Sequence, residues 1–219
     1  MLRKRGHKNV LFDMIQNMVF DFIYHEHLSY FLVKPLIRLL ADHDLTVFDI
    51  QQFDIHGGSI RVFVSKPNNN SITVNSTAIE QFLELEKAVG LHELSTYLNF
   101  PKDVERIRIE LLNLLWKLKT ENKTVAAYGA SAKGTVLSNY CGINQDLVEY
   151  VIDDTPEKQG YLTPGSHIKI VTSDYLETHK PDYLLLFAWN FAEELIEKTQ
   201  QYRKDGGRYI IPIPSVRVI

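Results

Sequence analysis

Thr124-Val125-Ala126-Ala127-Tyr128-Gly129-Ala130-Ser131-Ala132-Lys133-Gly134 passes from an apolar run, through a glycine-framed loop, into helix-forming sequence that continues to Tyr140. Apolar residues at consecutive positions mark a strand covered on both faces, as in a parallel sheet. The loop from Gly129 to Gly134 lets backbone N–H groups approach an anion at the N-terminus of the following helix. Compared with the dinucleotide pattern G-x-G-x-x-G, the second glycine is replaced by Ser131. In exchange, Ser131 offers a hydroxyl and Lys133 a cation to a phosphate. The same loop also reads as a plain strand-to-helix turn.

The grammar continues downstream. Leu147–Ile152, Ile168–Val171, Tyr183–Phe187 and Arg208–Ile211 read as further strands, and Phe191–Arg203 as a helix stopped by Gly206-Gly207. Strands alternating with helices predict an α/β fold with a parallel, doubly wound sheet. In such a sheet ligands bind beyond the carboxyl ends of the strands. Asp153, roughly two dozen positions after Gly129, stands where a carboxylate meets a ribose hydroxyl, or where it caps the Thr155-Pro156 turn. Trp189 and Asn190 follow another strand, an indole for stacking and an amide for hydrogen bonding. Asn190 also reads as the N-cap of the next helix.

Upstream, Pro35–Ala41 predicts a helix, and Leu45–Ile50 and Ile60–Val64 two strands joined by a turn at His56-Gly57-Gly58-Ser59. Lys66–Ser71 is a polar surface loop. Ile79, Phe82, Leu83 and Leu85 lie on a helix ending near Gly90. Val104, Ile107, Leu111, Leu114, Leu115 and Leu118 form one apolar stripe on a helix expected to start after Pro101. These two helices read as a connector between domains.

The composition sets limits. With 219 residues, 45% of them apolar, the chain can build one large domain or two small ones. A net charge of −3 argues against a nucleic-acid binder, and the basic group Arg3-Lys4-Arg5 with Lys8 reads as a solvated terminus. The single cysteine, Cys141, excludes an internal disulfide and a multi-cysteine zinc site. Val10–Tyr24 is apolar but interrupted by Asp13, Gln16, Asn17 and Asp21, which does not suit a signal peptide. No run reaches the roughly 18 apolar residues of a membrane span. The expectation is a cytoplasmic protein without nucleic-acid or membrane partners.

Tyr24-His25-Glu26-His27 gathers two imidazoles, a carboxylate and a phenol. As a metal site it lacks further ligands at a recognised spacing, so no metal is expected. A structural cluster is one reading. A His–Glu proton-transfer pair is the leading one, because imidazole titrates near neutrality and a carboxylate can orient it.

Phe20-Asp21-Phe22-Ile23-Tyr24-His25-Glu26-His27-Leu28-Ser29-Tyr30-Phe31 resembles the signature of the S-adenosylmethionine-dependent sugar C-methyltransferases, which act on nucleotide-linked 4-keto-deoxysugars. His56–Arg61, Tyr128–Ile143, Asp153–Gly165, Phe187–Phe191 and Gly206–Val216 are similar to further segments of that family, in the same order along the chain. Members of the family have a zinc-binding N-terminal domain with a cysteine cluster, a central methyl-donor domain, and a C-terminal Rossmann-like domain that helps hold the nucleotide sugar. The resemblance implies that residues 1–75 are the last elements of the methyltransferase domain, 76–121 the helical connector, and 122–219 the Rossmann-like domain. The cysteine cluster and the donor-binding Gly-rich loop are absent here. The chain is therefore expected to be either a piece of a longer C-methyltransferase or half of a split one, in which a separate polypeptide supplies the zinc and S-adenosylmethionine domains, and alone it is expected to be inactive.

The resemblance makes His27 the base that removes the proton beside the 4-keto group, and the resulting carbanion takes the donor's methyl group. Glu26 and Tyr24 orient the sugar or stabilise the enolate. His25 is a structural neighbour. Gly129, Ser131, Lys133, Asp153, Trp189 and Asn190 bind the nucleotide-diphosphate sugar. Two other readings stand beside it: a non-catalytic nucleotide-sugar-binding module, and a nicotinamide-dependent oxidoreductase, against which Ser131 counts.

Overall fold

The computed structural model describes residues 11–53 and 59–219. The basic N-terminal group and the expected turn at His56-Gly57-Gly58 lie outside the described residues. The chain forms two compact units. One comprises residues up to Val19 together with His27–Pro101, and the other Phe20–Glu26 with Lys102–Ile219.

In the first unit, α1 (Leu11–Gln16), α2 (Val33–Ala41) and α3 (Ser76–Ala88) accompany strands β1 (Thr46–Phe53) and β2 (Ser59–Ser65). The two strands pair antiparallel, from Thr46↔Ser65 to Phe53↔Ser59, with a register shift between Val47 and Asp49. One face of this pair is apolar, and Val47, Ile50 and Ile60 bury it against Val33, Ile37, Ile79, Phe82 and Leu83. Asn75 caps α3 by accepting the Ala78 N–H at 3.2 Å. No local side chain caps α2 at Leu32. Instead the buried Glu86 of α3 accepts the N–H groups of Val33 and Lys34, placing a carboxylate at the positive end of α2.

Helix α4 (Leu94–Thr120) contains Pro101, where the two units divide. The helix thus begins at Leu94, upstream of Pro101, instead of after it. A proline removes a single helix hydrogen bond and does not forbid helix upstream of it. The predicted stripe does its work: Val104, Ile107, Leu111, Leu115 and Leu118 are buried.

The second unit is built on a six-stranded sheet. Its elements are β3 (Val125–Tyr128), α5 (Ala132–Cys141), β4 (Tyr150–Ile152), β5 (Lys169–Val171), α6 (Tyr175–Thr178), β6 (Tyr183–Leu186), α7 (Ala192–Lys198), α8 (Gln200–Lys204), β7 (Arg208–Ile211) and β8 (Arg217–Val218). The strand order is β5-β4-β3-β6-β7-β8, parallel except for β8, which runs antiparallel to β7. This is a mixed α/β, Rossmann-like sheet. Every residue of β3 is buried, as both faces of a parallel sheet require. At the start of β3, the Asp182 carboxylate accepts the Thr124 N–H at 2.9 Å and pairs with Lys123, which ties β3 to β6.

Two expectations are corrected here. The strand expected over Leu147–Ile152 is confined to Tyr150–Ile152. The helix expected over Phe191–Arg203 breaks at Thr199. The Thr199 hydroxyl, buried beneath the sheet, donates back to the Leu195 carbonyl at 2.6 Å and meets the Tyr209 hydroxyl at 2.7 Å. That local bond competes with the helix ladder.

Candidate functional site

The strand order reverses direction between β3 and β6: the chain builds outward through β4 and β5, then returns to the other side of β3. Ligand crevices in open α/β sheets lie at such a reversal, beyond the carboxyl ends of the two strands. Gly129 leaves β3 there with φ +98°, and a Cβ on it would stand 2.6 Å from the Ala188 Cβ beyond β6. A Cβ on Gly134 would stand 2.8 Å from that of Phe187. Both glycines are therefore needed for close packing of the loop and α5 on the end of β6. Ser131 is the N-cap of α5, its hydroxyl accepting the Gly134 N–H at 3.1 Å.

Lys133 lies in the first turn of α5, where the helix dipole disfavours a cation. Only 8% of it is exposed. Its ammonium sits 4.2 Å from the centroid of the Phe22 ring and 4.8 Å from that of Trp189, between two aromatic faces that attract positive charge. Nζ has no hydrogen-bond partner. Burial lowers its pKa, and the charge of Asp21 works in the opposite direction.

Asp21 was given no role by its residue type, yet it is the central group of this cluster. It is fully buried in a short 3-10 turn, Phe20–Phe22, that packs against α5. Oδ2 accepts the Trp189 indole N–H at 2.6 Å, and Oδ1 is buried without a partner. Burial pushes its carboxyl up to about 6, while Lys133 and the indole pull the other way. The sequence signal was a carboxylate set between two phenylalanines, a position that buries it.

The Tyr24–Glu26 segment follows immediately. It forms a bend and turn. Tyr24 is half-buried, its ring 6.0 Å from Phe22 and 6.2 Å from His25, whereas His25 and Glu26 are exposed. Burial raises the Tyr24 phenol, and the charges of Glu26 and Asp21 add to the effect. His27 belongs to the first unit and is half-buried.

The remaining expected ligands sit elsewhere on the same sheet. Asp153 is buried after β4, one oxygen accepting the Thr155 N–H at 2.9 Å and the other pairing with Lys158 at 3.3 Å. It caps its own turn. Next to it, Asp154 accepts from the Tyr128 hydroxyl at 2.9 Å and pairs with Lys198; this cluster had no distinctive sequence signal beyond the paired aspartates. Asn190 is half-buried in the 3-10 turn Trp189–Phe191, and the N-cap of α7 is Phe191. Among the described residues no three His, Cys, Asp or Glu side chains come together to hold a metal ion, and no helix is long and apolar enough to cross a membrane.

The fold and the crevice define a Rossmann-like α/β domain whose switch point is lined by a lysine, an indole and a buried carboxylate. Comparison with known proteins gives the family. The profile of the C-methyltransferase C-terminal domain matches residues 54–214. The C-methyltransferase NovU of Streptomyces niveus is 40% identical over 209 residues, covering 95% of this chain and 49% of that protein. The chain belongs to the C-methyltransferase C-terminal domain family, and it spans about half the length of the curated relative it matches.

Proposed function

We propose that this chain is the substrate-holding and proton-abstracting part of an S-adenosylmethionine-dependent C-methyltransferase acting on a nucleotide-linked 4-keto-deoxysugar. The observation that carries the reading is the joining of two features in one chain. The Rossmann-like domain holds Lys133 buried at its switch point, and the segment rooted there by Asp21 and Phe22 continues in sequence into Tyr24-His25-Glu26-His27.

In this reading His27 accepts the proton from the carbon next to the 4-keto group. Glu26 and Tyr24 hold the sugar and stabilise the enolate oxygen. The raised phenol pKa keeps Tyr24 protonated, as a hydrogen-bond donor to developing negative charge must be. The N-terminus of α5 receives the diphosphate, with the Ser131 loop close to it. Lys133 acts there as a fixed positive charge behind the helix terminus, since its ammonium is covered by Phe22 and Trp189. Asn190, Trp189 and Asp153 border the nucleotide.

S-adenosylmethionine, the donor the family implies, finds no fitting site among the described residues. The first unit offers only an antiparallel strand pair, and in the second unit the Phe20–Phe22 turn packs at the switch point. Donor binding is therefore assigned to protein outside these 219 residues.

Titration calorimetry with a thymidine diphosphate sugar and with S-adenosylmethionine tests the assignment. Sugar-nucleotide binding without donor binding is expected. With the donor-binding portion present, His27→Ala should lower methyl transfer by about 100-fold or more and leave nucleotide binding intact. Sugar-nucleotide binding with no methyl transfer under any complementation would instead make the chain a binding module.

A further inference from the structure

We infer that Asp21 is a positioning residue: through Trp189 and Lys133 it fixes the Tyr24–Glu26 segment at the switch point of the Rossmann-like sheet. This rests on the reading of that segment as part of the methyl-transfer site.

All three residues of the Phe20–Phe22 turn are anchored. Phe20 meets the ring of Tyr140 on α5 at 5.3 Å, Asp21 takes the Trp189 indole N–H at 2.6 Å, and Phe22 lies 4.2 Å from the Lys133 ammonium. Each is at most 4% exposed. The turn closes on itself through the Ile23 N–H to Phe20 carbonyl and Tyr24 N–H to Phe22 carbonyl bonds, both 3.0 Å. Tyr24 follows these bonds directly, so its backbone is held from the turn, and its ring leans on Phe22.

A packed turn could have been built from apolar residues alone. Burying a carboxylate and an ammonium costs free energy, and apolar substitutes of similar size often match such a pair in stability. What the charged pair adds is a unique geometry. One Asp21 oxygen takes the Trp189 indole N–H, and the Lys133 ammonium sits over that same indole and over Phe22, where the charges of Asp21 and Lys133 act on one another. Sliding the turn by one residue would bury Phe22 against the indole N–H and leave Lys133 without its counter-charge. The pair therefore sets the register at which the motif leaves the sheet.

The test uses the full chain. Asp21→Ala should speed amide hydrogen exchange of Tyr24, His25 and Glu26 while α5 and the sheet keep their protection. Asp21→Asn, whose side-chain carbonyl still accepts the indole N–H but which leaves Lys133 without its counter-charge, should restore only part of the protection. Trp189→Phe removes the same bond from the other end; it should loosen the same amides, and it replaces the alanine variant if that one fails to fold. In the complemented enzyme, Asp21→Ala should lower kcat on the order of 100-fold with KM for the nucleotide sugar changed about twofold or less. Unchanged exchange at residues 24–26 in both Asp21→Ala and Trp189→Phe overturns the inference. So does faster exchange when turnover depends on His27 but not on Asp21. Faster exchange with turnover indifferent to both Asp21→Ala and His27→Ala upholds the anchoring and overturns only the methyl-transfer reading.

Discussion

Phe20–Phe22 and Tyr24–Glu26 are adjacent in sequence and opposite in character. The first triplet is buried and held at each residue, by α5 at Phe20 and Phe22 and by the Trp189–Phe191 turn at Asp21. The second leaves His25 and Glu26 in solvent, with only Tyr24 leaning back on its neighbour. Titratable residues that are to meet a substrate must keep access to it. A flexible segment, however, pays in orientation, and misplacement by about 1 Å can cost on the order of 100-fold in rate. The buried triplet resolves the conflict by fixing where the exposed one begins.

Removing the cation breaks this contrast most severely. Lys133→Met leaves Asp21 buried without its counter-charge and should destabilise the protein by about 3–5 kcal/mol in urea unfolding. The double variant with Asp21→Asn should recover most of that loss.

The second effect is that of pH. The Asp21 carboxyl keeps its proton up to about pH 6 in the folded protein, whereas its ordinary value is 3.8. Between those values the folded state holds a proton that the unfolded chain has released. Stability therefore falls as pH rises through that window, by roughly 3 kcal/mol in total from this group. The difference in unfolding free energy between the protein and Asp21→Asn, followed from pH 4 to 7, should show that slope.

Cutting only the hydrogen bond gives a smaller change. Trp189→Phe leaves the Asp21 carboxylate without its donor and should cost about 1–3 kcal/mol. On the exposed side, Glu26→Ala should alter the melting free energy by less than about 0.5 kcal/mol. A large loss of stability there would erase the distinction between the two triplets.

Much of this architecture was legible along the chain. The apolar run before Gly129 marked the buried central strand, and the alternation after it marked the parallel sheet, because a strand covered on both faces needs apolar residues throughout. The stripe from Val104 to Leu118 marked its helix through the 3.6-residue period. The helix start before Pro101 and the break at Thr199 were not legible. The first depends on how much helix a single proline can interrupt. The second depends on a hydroxyl whose partner, Tyr209, comes from the next strand.

The site divides in the same way. Ser131 and Lys133 stood out because a hydroxyl and a cation at a helix start are chemically conspicuous. The residues alone pointed to an exposed phosphate cradle, whereas the folded chain covers Lys133 with Phe22 and Trp189. Asp21 could not be ranked from sequence, since its indole donor is 168 positions away. By itself, then, the sequence determined the α/β class, the glycine-framed loop and the family likeness, all of which follow from local periodicity, steric demand and residue identity. Only the tertiary structure decided which carboxylate takes the indole N–H beside the buried lysine at the switch point, because that grouping is created by packing between residues far apart in sequence.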